Sequence, residues 1–216
     1  MELVEIAFAR SRLYSLLAKC FKYPSGSPWD YMSRPDEEDF KRVEKLGALL
    51  GLPNLAKNFR RLVEMMDLMP SAKEKLEYSR LFAAARFGEG PCPLNEEAYV
   101  ERREGVKSVG NVYREFGLEF SEDFKDSPDH IAAELEFMHI LAYYEAVSRR
   151  ANIKEDVHRY VEAQDRFLKN HLAKWVSKFR KLVEENSKSF FYQLAAKMVD
   201  EFVSRDSIFI SSILGE

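Results

Sequence analysis

Helix-breaking residues are almost absent from the C-terminal part of this 216-residue chain. All eight prolines lie at or before Pro128, and beyond Gly117 the only glycine is Gly215. Proline and glycine are the two residues that a helix interior tolerates least, at about 3 and 1 kcal/mol relative to alanine. Residues 129–214 contain neither, which favours long helices joined by tight polar turns. Apolar spacing places those helices near 128–149, 154–185 and 188–213.

Leu3, Ile6, Ala7, Leu13, Leu17 and Phe21 recur at intervals of three and four and outline a first amphipathic helix. A loop from Pro24 to Pro35 carries Trp29. A helix over about 36–50 ends at Gly51, and Pro53 suits the first turn of another that runs to about Leu68. Pro70-Ser71 starts the next, which carries Glu77, Tyr78, Leu81 and Phe82. Residues 87–94 form the main irregular loop. A helix over 95–116 then buries Tyr99, Val106, Val109, Tyr113 and Phe116, with Gly117 as its stop. There is no internal repeat and no strand period. The expected fold is all-α, one domain over 1–216 built as a multi-helix bundle, with a hinge allowed in the polar connector 119–127.

Composition removes several functions. Hydrophobic residues make up 46% and charged residues 32%, an ordinary globular balance. A net charge of −3 lacks the basic face that nucleic acid requires. Acids stand where a signal peptide needs bases, and no stretch approaches the roughly 18 apolar residues of a membrane span. A cytoplasmic protein without membrane insertion is expected. Cys20 and Cys92 are far apart and form no CxxC, so two reduced thiols are expected.

Catalytic motifs are missing. Gly105-Val106-Lys107-Ser108-Val109-Gly110 does not continue as a phosphate-binding loop, because Asn111 and Val112 follow. Two Glu-x-x-His units, Glu136/His139 and Glu155/His158, imitate di-iron ligands. They are only 19 residues apart on consecutive helices, and the second lies in the charged run Lys154 to Arg159. Ordinary surface pairs are the better reading, and a di-iron oxidase is the remaining enzyme alternative. No enzyme activity, metal or cofactor is expected.

Ser127-Pro128-Asp129-His130 reads as a helix start, with Ser127 as N-cap, Pro128 in the first turn and Asp129 at the positive dipole end. From Glu119 to Glu136 the acids are Glu119, Glu122, Asp123, Asp126, Asp129, Glu134 and Glu136, against the single base Lys125. That excess suits a cationic partner, or else a solvated connector. Tyr78, Phe82, Tyr99 and Phe137 flank it and are either core or an aromatic wall. His171 and Trp175, one turn apart, are expected to be core neighbours.

The order of these landmarks resembles the TorD/DmsD/NarJ family of maturation chaperones for molybdenum-containing redox enzymes. The matching residues run from Arg12-Leu13-Tyr14 and Phe21-x-Tyr23-Pro24 through Glu77-Tyr78-Ser79-Arg80-Leu81-Phe82, Pro91-Cys92-Pro93 and Glu97-Ala98-Tyr99. They continue through Pro128-Asp129-His130-Ile131, Glu134 to Met138, His171 to Trp175 and Phe190-Phe191-Tyr192, covering about residues 10–200. Glu97 departs from the family, which often has Ser there.

The resemblance implies a helical chaperone, monomeric or dimerised by helix exchange. Its partner would be the apo catalytic subunit of a molybdoenzyme and that subunit's twin-arginine signal peptide. Asp129 and His130 would contact the peptide, and Tyr78, Phe82 and Tyr99 would line the same region. Two guanidinium groups followed by an apolar stretch suit clustered carboxylates beside aromatic rings, so Asp129 with Glu134 or Glu136 would take the arginines. Family members also serve leaderless subunits of the nitrate reductase kind, which is the closest rival.

Overall fold

The computed structural model describes residues 3–30, 33–83, 90–101, 107–120 and 126–214. Their helices are α1 (Leu3–Cys20), α2 (Glu37–Leu49), α3 (Leu55–Asp67), α4 (Ala72–Tyr78), α5 (Val109–Glu115), α6 (Ile131–Arg150), α7 (Lys154–Asn170), α8 (Val176–Asn186) and α9 (Phe190–Leu214). Among the described residues the only β pairing is one isolated bridge, Asn95 with His130. The fold is all-α, as the distribution of proline and glycine requires. No described helix is long and apolar enough to cross a membrane.

α1 and α6 form the central pair; α2 packs on α1 and α3, while α7 and α8 pack on α9. Local chemistry explains several helix ends. Asp36 and Asp39 form a reciprocal capping box at α2, and Ser71 accepts the Glu74 N–H at the start of α4. Gly51 and Gly117 sit at φ +66° and +68°, the left-handed geometry that glycine adopts freely at a helix stop.

Arg10 lies fully buried where α1, α6, α7 and α9 meet. Its guanidinium donates to both oxygens of Asp206, at 2.5 and 2.9 Å, to Glu145 at 2.8 Å and to Gln164 at 2.5 Å. Tyr14 donates to Asp206 at 2.7 Å. Burial opposes the charge on Arg10, but Asp206 and Glu145 outweigh it and raise the pKa further. Four helices thus share one polar knot, and the planar fork of arginine is what makes four bonds available.

Three expected helices change. The helix expected over 95–116 is a 3₁₀ turn at Glu96–Ala98 and then α5. Val106 lies outside the described residues, as do 84–89 of the loop and 121–125 of the expected hinge. The helix expected over 154–185 breaks at His171, which leaves helical geometry at φ −127°, ψ −99° and leads into a 3₁₀ turn at Leu172–Lys174. The third begins at Ile131, not Pro128, and its cap is His130 rather than Ser127. Each change meets at one place, where tertiary bonds override local preference.

A cleft between the loop and the start of α6

Loop 90–99 is tied to the entry of α6 by backbone bonds. The Ile131 N–H donates to Leu94 O at 2.7 Å, and the Glu96 N–H donates to Asp129 O at 3.0 Å. Cys92 N–H reaches back to Leu81 O at 3.2 Å, anchoring the loop to the end of the α4 segment. Tyr99 closes the loop on itself by donating to Pro93 O at 2.7 Å.

The Asp129 carboxylate completes this junction. Oδ2 accepts the Glu97 N–H at 3.0 Å, while Oδ1 accepts Asn95 Nδ2 at 3.2 Å and the Ser127 hydroxyl at 2.5 Å. A carboxylate offers about four lone-pair positions. Three are spent inside the protein, so Asp129 has no free edge for a bidentate guanidinium. It caps the 3₁₀ turn that carries Glu97, across a gap of 32 residues.

His130 is buried, and its Nδ1 accepts the Ala132 N–H at 3.1 Å. An accepting Nδ1 carries no proton, so the ring is neutral with its hydrogen on Nε2. Burial lowers its pKa below the ordinary imidazole value, outweighing the pull of Asp126 and Asp129. The expected N-cap Ser127 instead serves Asp129, and Tyr113 donates to Pro128 O at 3.1 Å.

These elements frame a cleft of about 430 Å³. Among the described residues Glu96, Glu97, Val100 and Glu101 form one wall, and Lys107–Gly110 with Arg114 form another. Ser127, Pro128 and Asp129 close one side, and Asn170, His171 and Lys174 the other. The Glu96 carboxylate accepts from His171 Nδ1 at 3.0 Å, so the break in the α7 region brings His171 to the cleft. The cleft therefore carries carboxylates and cations together, with Glu97 and Glu101 among the described side chains left without a salt bridge.

Beneath the cleft lies an aromatic layer. Tyr99 stacks on Trp175 with centroids 5.2 Å apart, and Phe179 meets both rings. Phe179 continues to Phe82, and Phe82 to Tyr78. Tyr78 and Phe82 are buried, and Tyr78 donates to Phe21 O at 3.1 Å. These two residues, expected to line the binding region, lie in the core, and Phe179 links Phe82 to the rings under the cleft. Phe137 and Met138 are core as well.

Glu134 is a second correction. It was expected to face a cationic partner, but it is fully buried under the cleft. Its Oε2 accepts Trp175 Nε1 at 3.3 Å, and its Oε1 has no hydrogen-bond partner among the described residues. Burial, with Glu96 nearby, raises its pKa well above the usual carboxylate range, while the Trp175 bond opposes that only in part. Glu136 pairs with Lys22 and does not line the cleft. Glu122, Asp123 and Lys125 lie outside the described residues. Of the described acids in 119–136, Asp129, Glu134 and Glu136 are each engaged within the protein or buried.

The two Glu-x-x-His units do not converge. Glu136 is held by Lys22 and His139 by Ser11, at 2.8 Å from the hydroxyl, while Glu155 and His158 are exposed on α7. No group of three or more candidate metal ligands occurs among the described residues.

Residues 52–181, which include the loop, the cleft and α6, match the model of the nitrate reductase delta subunit family. The chain belongs to that family. It is the group that also contains TorD and NarJ, the resemblance drawn from the landmarks above. The chain is 28% identical to a perchlorate reductase assembly chaperone protein of Dechloromonas aromatica over 211 residues, 94% of this chain and 90% of that one. It is 32% identical to a selenate reductase assembly chaperone protein of Thauera selenatis, covering 60% of this chain and 69% of that one. A solved structure of a redox enzyme maturation protein from Archaeoglobus fulgidus overlays with a TM-score of 0.45 at 23% identity, across 90% of this chain and 93% of that one.

Sequence reasoning missed Glu96, Glu97 and Glu101 as cleft residues. One signal was available, since Glu97 stands where the family often has Ser.

Proposed function

We propose that this protein is a cytoplasmic assembly chaperone for the catalytic subunit of a molybdenum-containing reductase. It acts without catalytic turnover and takes the subunit's twin-arginine leader in the cleft beside α6. The reading is carried by end-to-end similarity to a perchlorate reductase assembly chaperone, joined to a cleft whose wall presents carboxylates.

The roles differ from those read in the sequence. Glu97 and Glu101 take the guanidinium groups, because among the described cleft acids their carboxylates have neither an ion pair nor a hydrogen bond holding them, whereas Glu96 is tied to His171 and Asp129 to the junction. Asp129 and His130 are positioning residues: one fixes the turn bearing Glu97 and the other caps α6. Tyr99, stacked on Trp175, gives the turn an apolar floor, and Tyr78 and Phe82 support that floor from the core. Glu134 lies buried beneath it, where burial raises its pKa. A carboxylate-to-guanidinium contact in a partly dry cleft is stronger than a neutral hydrogen bond and prefers arginine to lysine.

Titration with a twin-arginine leader peptide and with its twin-alanine version tests the reading. The arginine peptide should bind at least about tenfold more tightly, a difference of about 1.4 kcal/mol. Equal affinities would remove the leader from the account and favour a leaderless subunit as the client.

A further inference from the structure

Helix α6 is apolar on two sides. Leu135, Met138, Leu141 and Ala142 face the core. Ile140, Tyr143, Tyr144 and Val147 form a second stripe at intervals of three, four and seven, and Tyr143 and Tyr144 remain 45% and 47% exposed. A helix apolar on both sides normally has both covered.

The stripe is continuous with its surroundings. Phe8 of α1 meets Tyr143 at 6.1 Å, Tyr143 meets Tyr144 at 5.8 Å, and Tyr144 stacks on Tyr160 of α7 at 5.5 Å. Phe116 lies 6.3 Å beyond Tyr160. Single exposed apolar residues are normal, but a connected run of this kind marks an interaction surface.

Its charges favour one partner. Arg150 lies over Phe8 at 4.7 Å, and Arg159 lies over Phe116 at 5.1 Å. Among the described residues neither has a carboxylate within salt-bridge distance, while Arg149 and Arg166 nearby are paired. Tyrosine and arginine are the residues that dominate binding energy at interfaces. Two arginines without a carboxylate partner among the described residues favour an acidic partner segment.

We propose that the outer face of α6, extended by Phe8 and Tyr160, docks an apolar, carboxylate-bearing segment of the client polypeptide that is separate from its leader. This rests on the chaperone reading above. This face carries two arginines with no paired carboxylate among the described residues, whereas the cleft wall offers Glu97 and Glu101, so one client can occupy both.

The test is fluorescence anisotropy on the full chain with a synthetic amphipathic peptide, leucine at positions i, i+3, i+4 and i+7 and glutamate elsewhere. The peptide should bind, and the double variant Tyr143→Ser/Tyr144→Ser should weaken it about tenfold or more. Arg159→Glu should weaken it too, while a lysine-for-glutamate peptide should be indifferent to both variants. The replaced side chains are exposed, and circular dichroism confirms the fold. The twin-arginine peptide should keep its affinity in the double variant, so failure of leader binding in the wild type is separable from failure here. Absent binding of the acidic peptide, or binding unchanged by the variants, overturns the proposal. So does a dimer, seen by sedimentation velocity, that the double variant dissolves, since the face would then serve self-association.

Discussion

The carboxylate of Asp129 accepts the backbone N–H of Glu97 at 3.0 Å, from the far side of the cleft entrance. One acid thereby sets the position of another. With Asn95 and Ser127 on its other oxygen, Asp129 holds the loop to α6 more than it offers charge to solvent.

Asp129→Ala should therefore cost more than the loss of an ordinary cap. Removing the acceptor leaves the Glu97 N–H and Asn95 without their partner, and the expected loss is about 1–3 kcal/mol. Ser127→Ala should cost less than about 1 kcal/mol. Urea denaturation with an unchanged slope would show both. Equal small losses would place Asp129 outside the junction.

Glu134→Gln should stabilise the protein, and more so as pH rises. In the unfolded chain Glu134 ionises near pH 4.5, whereas burial keeps it protonated in the fold well above that. The folded state then binds the extra proton, and stability falls by about 1.4 kcal/mol per pH unit until the folded group titrates. Glutamine has no such loss, and its carbonyl still accepts from Trp175. Melting curves of variant and wild type should separate progressively as pH rises above about 4.5. A constant gap would show that Glu134 ionises normally.

His130→Asn should flatten part of the acid limb of stability. With its pKa lowered in the fold by burial, His130 stays neutral while the unfolded chain takes up a proton below about pH 6.5. Stability is present above that value and is lost as pH falls below it. Asparagine keeps an oxygen for the Ala132 N–H and does not titrate there. His139, lowered by burial in the same way, retains its share of the slope. An unchanged limb would mean that His130 is not the neutral cap.

Arg10→Ala should be the most damaging of these changes. It leaves the buried carboxylates of Asp206 and Glu145 without their cation, a loss of about 3–5 kcal/mol. Arg10→Lys should rescue only a part, since one ammonium cannot reproduce the fork. Differential scanning calorimetry distinguishes the two. Full rescue by lysine would mean that charge alone matters there.

The helices were legible because proline and glycine are absent from residues 129–214 and apolar residues recur at helical spacing. The break at His171 was not, because neither breaker marks it. It forms where His171 meets Glu96 and Trp175 meets Glu134, partners 75 and 41 residues away. Nothing in the sequence pattern marks Arg10, and only the fold shows four helices closing on it. In the site, Asp129 and His130 read as peptide contacts, whereas in the fold they are engaged in hydrogen bonds at the junction, which charge counts do not reveal. Glu134 counted as surface charge and is core. The acids of the cleft wall, Glu97 and Glu101, sit in a segment that read as plain helix.

The central claim is that Glu97 meets a leader arginine. A double-mutant cycle tests it most directly, pairing Glu97→Gln with replacement of each leader arginine by lysine, and reading affinity by isothermal titration at low salt. Each single change should weaken binding, and one pair should show a coupling of about 1 kcal/mol or more. Additive losses for both arginines, with no coupling to Glu97, would contradict it.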